Sequence, residues 1–313
     1  MIHKTSLCDD GIFRGIFGQE GSETILTDLV NSVLKNAGDP TIESLTIKNP
    51  FQLQDLVLQK EPILDIKATD NTKQLFDIEI QIANHENFRE RILYYWSRSY
   101  GRDLKQGESY TDLKPVVGIV FTKFPIYPEN KEILYDSFYI CSKNDPTRIL
   151  TRHFALHFIT VPDEERQYSV FQQDLQRWLK VLNYPNKTSE AEMENIATEN
   201  PIVDTAFEKA KHFLADPSVQ DYIEAKYKFD LDQTTRLQTS RNEGRAEGRA
   251  EGRMEGRAEG QISDILTLLN ERFGPVDSVM QKTLSAKSQP DELRFLLITA
   301  ATCTNLDEFK AQL

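Results

Sequence analysis

The chain has 313 residues, 39% of them hydrophobic and 10% aromatic, which is enough for one main domain with a buried core plus appendages. Its net charge of −12 argues against a protein that coats nucleic acid generally, because phosphate binding relies on clustered Lys and Arg. No apolar run approaches the ~18 residues of a membrane span, and the start lacks a signal peptide's apolar block. Three widely spaced cysteines indicate neither a disulfide framework nor a zinc site, so we expect a cytoplasmic protein.

The first predicted element is a helix over residues 9–36, where apolar residues recur at spacings of three and four. Residues 61–82 then predict two strands that flank the turn-prone segment Thr69-Asp70-Asn71-Thr72. The second strand alternates strictly. Its core-facing residues are Phe76, Ile78, Ile80 and Ile82, and its polar residues on the other face are Asp77, Glu79 and Gln81.

The rest of the chain divides by pattern and composition. The sequence predicts a helix over 86–106, a buried strand over 116–124, extended segments around 135–141 and 153–161, an amphipathic helix over 172–184, and more polar helices over 187–238. A four-residue repeat, RNEGRAEGRAEGRMEGRAEGQ, follows. We therefore predict a core over 1–190, a helical extension over 191–240, the repeat over 241–261 and a small helical unit over 262–313.

The hairpin carries the candidate chemistry. Pairing of its strands would bring Asp65 beside Glu79, and two facing carboxylates repel each other unless a cation lies between them. Mg²⁺ prefers such oxygen ligands, with Mn²⁺ as a second candidate, and it offsets the charge that develops on a phosphoryl oxygen. Gln81 could hold the attacking water or contact the phosphate. By spacing alone, the same pattern also fits the solvated face of an ordinary hairpin.

Several segments, in order, resemble the PD-(D/E)XK nuclease family transposases, also described as recombination-promoting nucleases. These segments are FRGIFGQEGSETILTDLVNSVL, ILDIKA with FDIEIQI, and NFRERILYYWSRSYGRDLKQGESYTDLKPVVGIVF. The later HFALHFI and RWLKVL also fit, and the resemblance covers roughly residues 5–270. It implies an α/β fold with a restriction-endonuclease-like core, in which helices flank a mixed sheet, and a helical C-terminal extension.

The resemblance also implies roles for individual residues. Asp65 falls on the family's aspartate and Glu79 on its (D/E) position, so both would be catalytic and hold the metal. Gln81, also catalytic, stands where the motif has Lys, although Glu-x-Gln is usual in this subgroup. Lys67 and Lys73 are candidate substitutes for that lysine, and Lys67 also fits an ordinary strand residue.

Folds of this kind often take a further acidic residue from the first helix. Glu20 is our candidate for this catalytic role and Glu23 is the second choice. Either residue could instead simply favour the start of a helix, where acidic side chains are stabilised.

The predicted helix over 86–106 supplies a local basic patch, with five basic residues against two acidic ones between 87 and 105. Contacts from these side chains to phosphates would position double-stranded DNA without reading its sequence. We assign DNA binding to Arg89, Arg91, Arg98, Arg102, Lys105 and Tyr95. Alternatively, the aromatic residues of this helix belong to the core and its arginines form a solvated face.

The repeat could be a helix or a flexible linker. Each interior glycine costs a helix about 1 kcal/mol relative to alanine. A helix would nevertheless carry ridges of Gly and Ala that allow close approach of a second chain. We favour the helix, and with it a homodimer or higher homo-oligomer formed through residues 241–261.

The favoured function is a magnesium-dependent endodeoxyribonuclease that hydrolyses phosphodiester bonds and promotes DNA recombination or mobile-element movement. The alternative is a catalytically weak or inactive nuclease-fold protein that acts as an oligomeric DNA-binding or interaction module. The charge of −12 and Gln81 favour the alternative, whereas retention of both Asp65 and Glu79 counts against it.

Overall fold

A computed structural model describes residues 6–53, 65–84, 87–102, 104 and 109–313. The chain divides into two compact units between Tyr227 and Lys228. None of the helices in the described ranges combines the length and the hydropathy that a membrane span requires.

A six-stranded mixed sheet forms the centre of the first unit. Its strands are β1 (Leu45–Ile47), β2 (Asp65–Asp70), β3 (Leu75–Gln81), β4 (Val116–Thr122), β5 (Tyr135–Phe138) and β8 (Phe154–Thr160), in the order β1-β2-β3-β4-β8-β5. The pairs β3–β4 and β4–β8 are parallel and the other three are antiparallel. Strands β6 (Cys141–Ser142) and β7 (Asp145–Ile149) form a separate hairpin that the sequence did not predict.

One face of the sheet carries the main core, which is built with helices from both ends of the first unit. These helices are α1 (Asp10–Phe17), α2 (Glu23–Ala37), α4 (Gln173–Leu182), α5 (Glu190–Glu199) and α6 (Pro201–Ala215). Phe17 and Trp178 are fully buried and meet edge to face at 5.8 Å. Burial of such aromatic side chains is a large part of what stabilises a core.

The predicted single helix over residues 9–36 is wrong in one respect, because the chain turns between α1 and α2. Gly21 has a φ of +83°, a left-handed conformation that glycine adopts without a steric cost. Ser22 Oγ donates to the carbonyl of Ile16 and thereby closes the turn. The apolar spacing continues through this turn, so periodicity alone did not reveal the break.

The other face of the sheet is covered by α3 (Phe88–Arg102), which links the parallel strands β3 and β4. Phe88 and Ile92 pack there in a small apolar cluster with residues of β4 and β8, namely Val120, Phe154, Leu156 and Phe158. Trp96 contributes to this layer through an edge-to-face contact with Phe154 at 4.6 Å and a hydrogen bond from Nε1 to the carbonyl of Val116.

The main core extends further along the chain than the predicted boundary at residue 190. Met193 of α5 and Val203 and Phe207 of α6 are buried in the same cluster as the sheet. The start of α7 (Pro217–Phe273) joins them through Val219 and Ile223. Much of the predicted helical extension therefore packs into the core.

The second unit contains the rest of α7 together with α8 (Ser278–Ser285), α9 (Pro290–Thr302) and α10 (Leu306–Lys310). Its own core includes Ile265, Leu284 and Phe309, all fully buried. The repeat over residues 241–261 lies within α7, so it is helical, and most of its side chains are exposed. The predicted α/β fold with a mixed sheet, flanking helices and a helical C-terminal region is thus confirmed.

Candidate active site

The candidate site is built on the hairpin of β2 and β3. Asp70 closes its turn by accepting hydrogen bonds from the backbone N–H groups of Thr72 and Gln74, each at 2.8 Å. The resulting register pairs Asp65 with Glu79 across the two strands. The two carboxylate-bearing positions are therefore direct neighbours in the sheet, as the predicted hairpin requires.

Alternation along β3 sends its side chains to opposite faces. Phe76 and Ile78 are fully buried in the main core, whereas Glu79 and Gln81 lie on the side covered by α3 and are each only 9% exposed. Ile82, predicted to continue the core-facing row, lies beyond the end of β3 and is 45% exposed. Burying a charged carboxylate as deeply as that of Glu79 costs free energy unless a cation or a hydrogen-bond donor approaches it.

Arg91, from the first turns of α3, supplies that partner. Its Nη2 donates to Oε1 of Gln81 at 2.7 Å and lies 3.6 Å from Oε1 of Glu79. The guanidinium also stacks over the ring of Phe88, with 5.5 Å between its central carbon and the ring centroid. The Nε of Arg91 is buried and has no hydrogen-bond partner within the described part of the chain.

A second polar group lies two residue pairs further along the hairpin, toward its turn. Lys67 is opposite Asp77, and its Nζ lies 3.6 Å from Oδ2 of that residue. Ser99 of α3 joins them: its Oγ accepts from Lys67 Nζ and donates to Asp77 Oδ2, each at 3.2 Å. Lys67, a candidate substitute for the motif lysine, thus contacts Asp77.

A narrow cleft between the sheet and α3 joins the two groups. Its lining includes the carboxylates of Asp77 and Glu79, together with Tyr95 and Trp96 from α3. Gly118 forms part of its floor, where a Cβ would come within 2.4 Å of a methyl carbon of Leu156. The site therefore combines paired charges with apolar walls, and the low polarity of those walls strengthens the electrostatic interactions.

A sequence profile described as PD-(D/E)XK nuclease family transposase matches residues 7–240. The chain belongs to this family. Searches of curated proteins and of solved structures gave no match.

Family membership supports a nuclease- or transposase-like role on DNA, and PD-(D/E)XK nucleases generally use divalent metals. The donor set suits such an ion, because Glu79 brings a carboxylate and the position paired with it carries a further carboxylate, Asp65. Among the side chains that the structure describes, no three His, Cys, Asp or Glu residues form a ready cluster for a metal.

The turn between α1 and α2 lies beside the start of β2. A Cβ at Gly18 would come 3.1 Å from Cγ1 of Ile66, the residue after Asp65. Glu20 is exposed in this turn, and Glu23 is the first residue of α2. The catalytic role that we assigned to Glu20, with Glu23 as second choice, stays a prediction.

The outer surface of α3 carries most of the predicted DNA-binding residues. Arg89, Arg98 and Arg102 are exposed, as is Tyr95, which also lines the cleft toward the sheet. The guanidinium of Arg98 lies 6.0 Å from the ring centroid of the exposed Tyr94. Lys105 lies outside the described residues.

Sequence reasoning missed two residues that lie at the candidate site, Asp77 and Ser99. Asp77 was visible on the polar row of β3, but no role was given to it. Ser99 follows the strand by about twenty residues, and only the packing of α3 on the sheet brings it to the hairpin. Arg91 was recognised as basic, whereas its contact with Gln81 has no local signature in the sequence.

Proposed function

We propose that the protein is a metal-dependent DNA endonuclease that hydrolyses phosphodiester bonds and promotes DNA recombination or mobile-element movement. The observation that carries the proposal is the register of the hairpin, which pairs Asp65 with Glu79 in a chain of a nuclease family. Mg²⁺ is the expected ion and Mn²⁺ the alternative, because both accept oxygen ligands.

In this proposal Asp65 and Glu79 hold the divalent ion, which when bound offsets the charge that develops on the phosphoryl oxygen. Gln81 orients the attacking water or the phosphate. Since its Oε1 accepts the hydrogen bond from Arg91, its Nε2 hydrogens are the donors that face the substrate. Tyr95 and Trp96 form walls of the cleft that Glu79 lines.

The outer surface of α3 is the proposed DNA contact. Its exposed arginines and tyrosines would bind phosphates and fix the orientation of a duplex without reading bases. This local patch reconciles DNA binding with a net charge of −12, because the attraction is confined to one helix.

We also propose that residues 241–261 help to form a homodimer. Cutting both strands of a duplex needs two sites or one site that acts twice, and dimers are the commonest symmetric assemblies. A Cβ at any repeat glycine would meet no other atom within 4 Å, so this helix has room for a partner. Deletion of 241–261 should lower the number of chains per particle, as measured by light scattering. An unchanged number of chains would refute this contact.

A second candidate function is a nuclease-fold DNA-binding or interaction module with weak or no catalysis. Two observations favour it: Gln81 replaces the motif lysine, and the positive charges of Lys67 and Arg91 already lie beside Asp77 and Glu79. In such a module the carboxylates would be neutralised by side chains rather than by a metal.

Plasmid cleavage separates the two functions. Supercoiled DNA should be nicked or linearised with Mg²⁺ or Mn²⁺ but not with a chelator. Asp65→Ala and Glu79→Ala should each slow cleavage at least about a hundredfold. Loss of a residue that only supports a metal ligand already slows activity by up to about that factor, and these two residues are the proposed ligands themselves. Glu90→Ala, which removes an exposed carboxylate from α3, is the matched control and should cut normally. A folded Glu79→Ala protein that cuts as fast as this control would refute the assignment.

A further inference from the structure

Arg91 differs from the other arginines of α3. Arg89 and Arg98 are exposed, and their guanidinium groups lie over the rings of Tyr127 and Tyr94. The side chain of Arg91 is only 30% exposed and its Nη2 is bound to Gln81. A guanidinium in this position is directed at the hairpin rather than at a ligand on the outer surface.

The contact determines how Gln81 is oriented. An arginine has only hydrogen-bond donors, so the atom that it contacts must be the amide oxygen of Gln81. The amide NH₂ is then presented as a donor. Without Arg91 the amide could rotate, and either end could face the substrate.

The contact also brings a positive charge to the position where the family motif carries lysine. The Nη2 of Arg91 is 2.7 Å from Gln81 and 3.6 Å from the carboxylate of Glu79. Gln81 brings no charge itself, so Arg91 provides at this point what the missing lysine would provide.

We propose that Arg91 is a positioning residue: through Gln81 it fixes the amide donor and supplies the positive charge that a lysine at position 81 would bring. This proposal rests on the proposed nuclease function and gives Arg91 a role distinct from contacts to the DNA backbone.

The proposal predicts two effects of opposite sign. The charge of Arg91 repels a cation near Glu79, so its removal should strengthen metal binding. The same removal frees the Gln81 amide and deprives the site of its positive charge, so cleavage should slow. Loss of a merely structural residue would weaken metal binding and cleavage together. Loss of a contact to the DNA backbone would change neither metal binding nor the pH dependence of cleavage.

The test measures Mn²⁺ binding to the full chain without DNA, by electron paramagnetic resonance, alongside plasmid cleavage and thermal unfolding. Arg91→Met should bind Mn²⁺ about tenfold more tightly and cut about a hundredfold more slowly. Arg98→Met, an exposed change on the same helix, is the control and should leave Mn²⁺ affinity unchanged. Gln81→Lys combined with Arg91→Met should restore cleavage to within about tenfold of the wild type, because lysine returns the charge to position 81.

Each alternative outcome overturns the proposal in a recognisable way. If Arg91→Met leaves the Mn²⁺ affinity unchanged and weakens DNA binding, as is expected of Arg98→Met, then Arg91 contacts the DNA backbone. If Arg91→Met does not fold, Arg91→Lys, Gln81→Ala and their combination take its place. Additive losses of cleavage would show that the two residues act independently. A wild-type chain that binds no Mn²⁺ and does not cut would refute the proposed function as well, whereas normal binding and cutting with an unaffected Arg91→Met would refute only this inference.

Discussion

The two faces of the central sheet differ in how their ionisable side chains are buried and paired. On the main-core face, Phe76 and Ile78 are fully buried, and an ionisable residue of β8, His157, is 0% exposed. On the face beneath α3, Glu79 keeps an ionic partner in Arg91, and the side chains of both remain partly exposed. One strand, β3, contributes alternate residues to both environments.

The difference follows from what each face can solvate. Burial in the main core disfavours the charged form of His157 and lowers its pKa to about 4. The α3 face holds charged side chains because each has a counter-charge and some contact with water. One face therefore holds a histidine buried in the core, whereas the other holds paired charges that keep some contact with solvent.

The largest expected effect separates stability from activity. Phe76→Ala removes a fully buried ring and should lower the free energy of unfolding by about 3–5 kcal/mol. Glu79→Gln, three residues away on the other face, keeps the side-chain size and should change stability by about 1 kcal/mol or less while it abolishes cleavage. Urea unfolding and plasmid cleavage of both variants test this contrast. Equal losses of stability would show that both faces are structural.

A smaller effect concerns His157 and pH. Its Nδ1 lies 3.3 Å from the hydroxyl of Tyr135, and its Nε2 lies 3.6 Å from Oδ2 of Asp39, which also accepts a hydrogen bond from Tyr139. Because burial outweighs the attraction of Asp39, the folded-state pKa of His157 is below its unfolded value of 6.5. The stabilising preference for neutral histidine is therefore fully present above pH 6.5 and is lost as the pH falls toward 4.

This loss should reach at most about 3 kcal/mol at pH 4, from a shift of about 2.5 pKa units. Denaturant unfolding at pH 7 and at pH 4 measures it as the difference between the wild type and His157→Gln. The variant should lose less stability on acidification, because glutamine does not titrate. Parallel pH profiles would mean that the folded-state pKa of His157 is not lowered below its unfolded value.

The smallest expected effect lies on the outer surface of α3. Neutralising Arg98 and Arg102 together should weaken binding to all DNA sequences about tenfold. The slope of log affinity against log salt concentration should fall by the amount expected for about two lost phosphate contacts. Stability should stay within about 0.5 kcal/mol, because both side chains are exposed. Filter binding at several salt concentrations tests this. An unchanged salt slope would place the DNA-binding surface elsewhere.

The sequence by itself determined the local patterns. Period-two alternation predicted the two faces of β3, and the turn residues after Thr69 predicted the hairpin that pairs Asp65 with Glu79. The apolar spacing predicted helices at α3 and α4, and the repeat lies in a helix as favoured. These features depend on residues close in the chain, so their signals are local.

Only the tertiary structure decided which distant groups meet. It split the first predicted helix at Gly21, joined α5 and α6 to the main core, and buried His157 beside Asp39. The packing of α3 also brings Arg91 to Gln81, which lies ten residues earlier in the chain. The sequence alone fitted a solvent-exposed side chain as well as a DNA contact. The physical reason is that periodicity specifies the face on which a side chain lies, whereas its partner depends on how separate elements pack together.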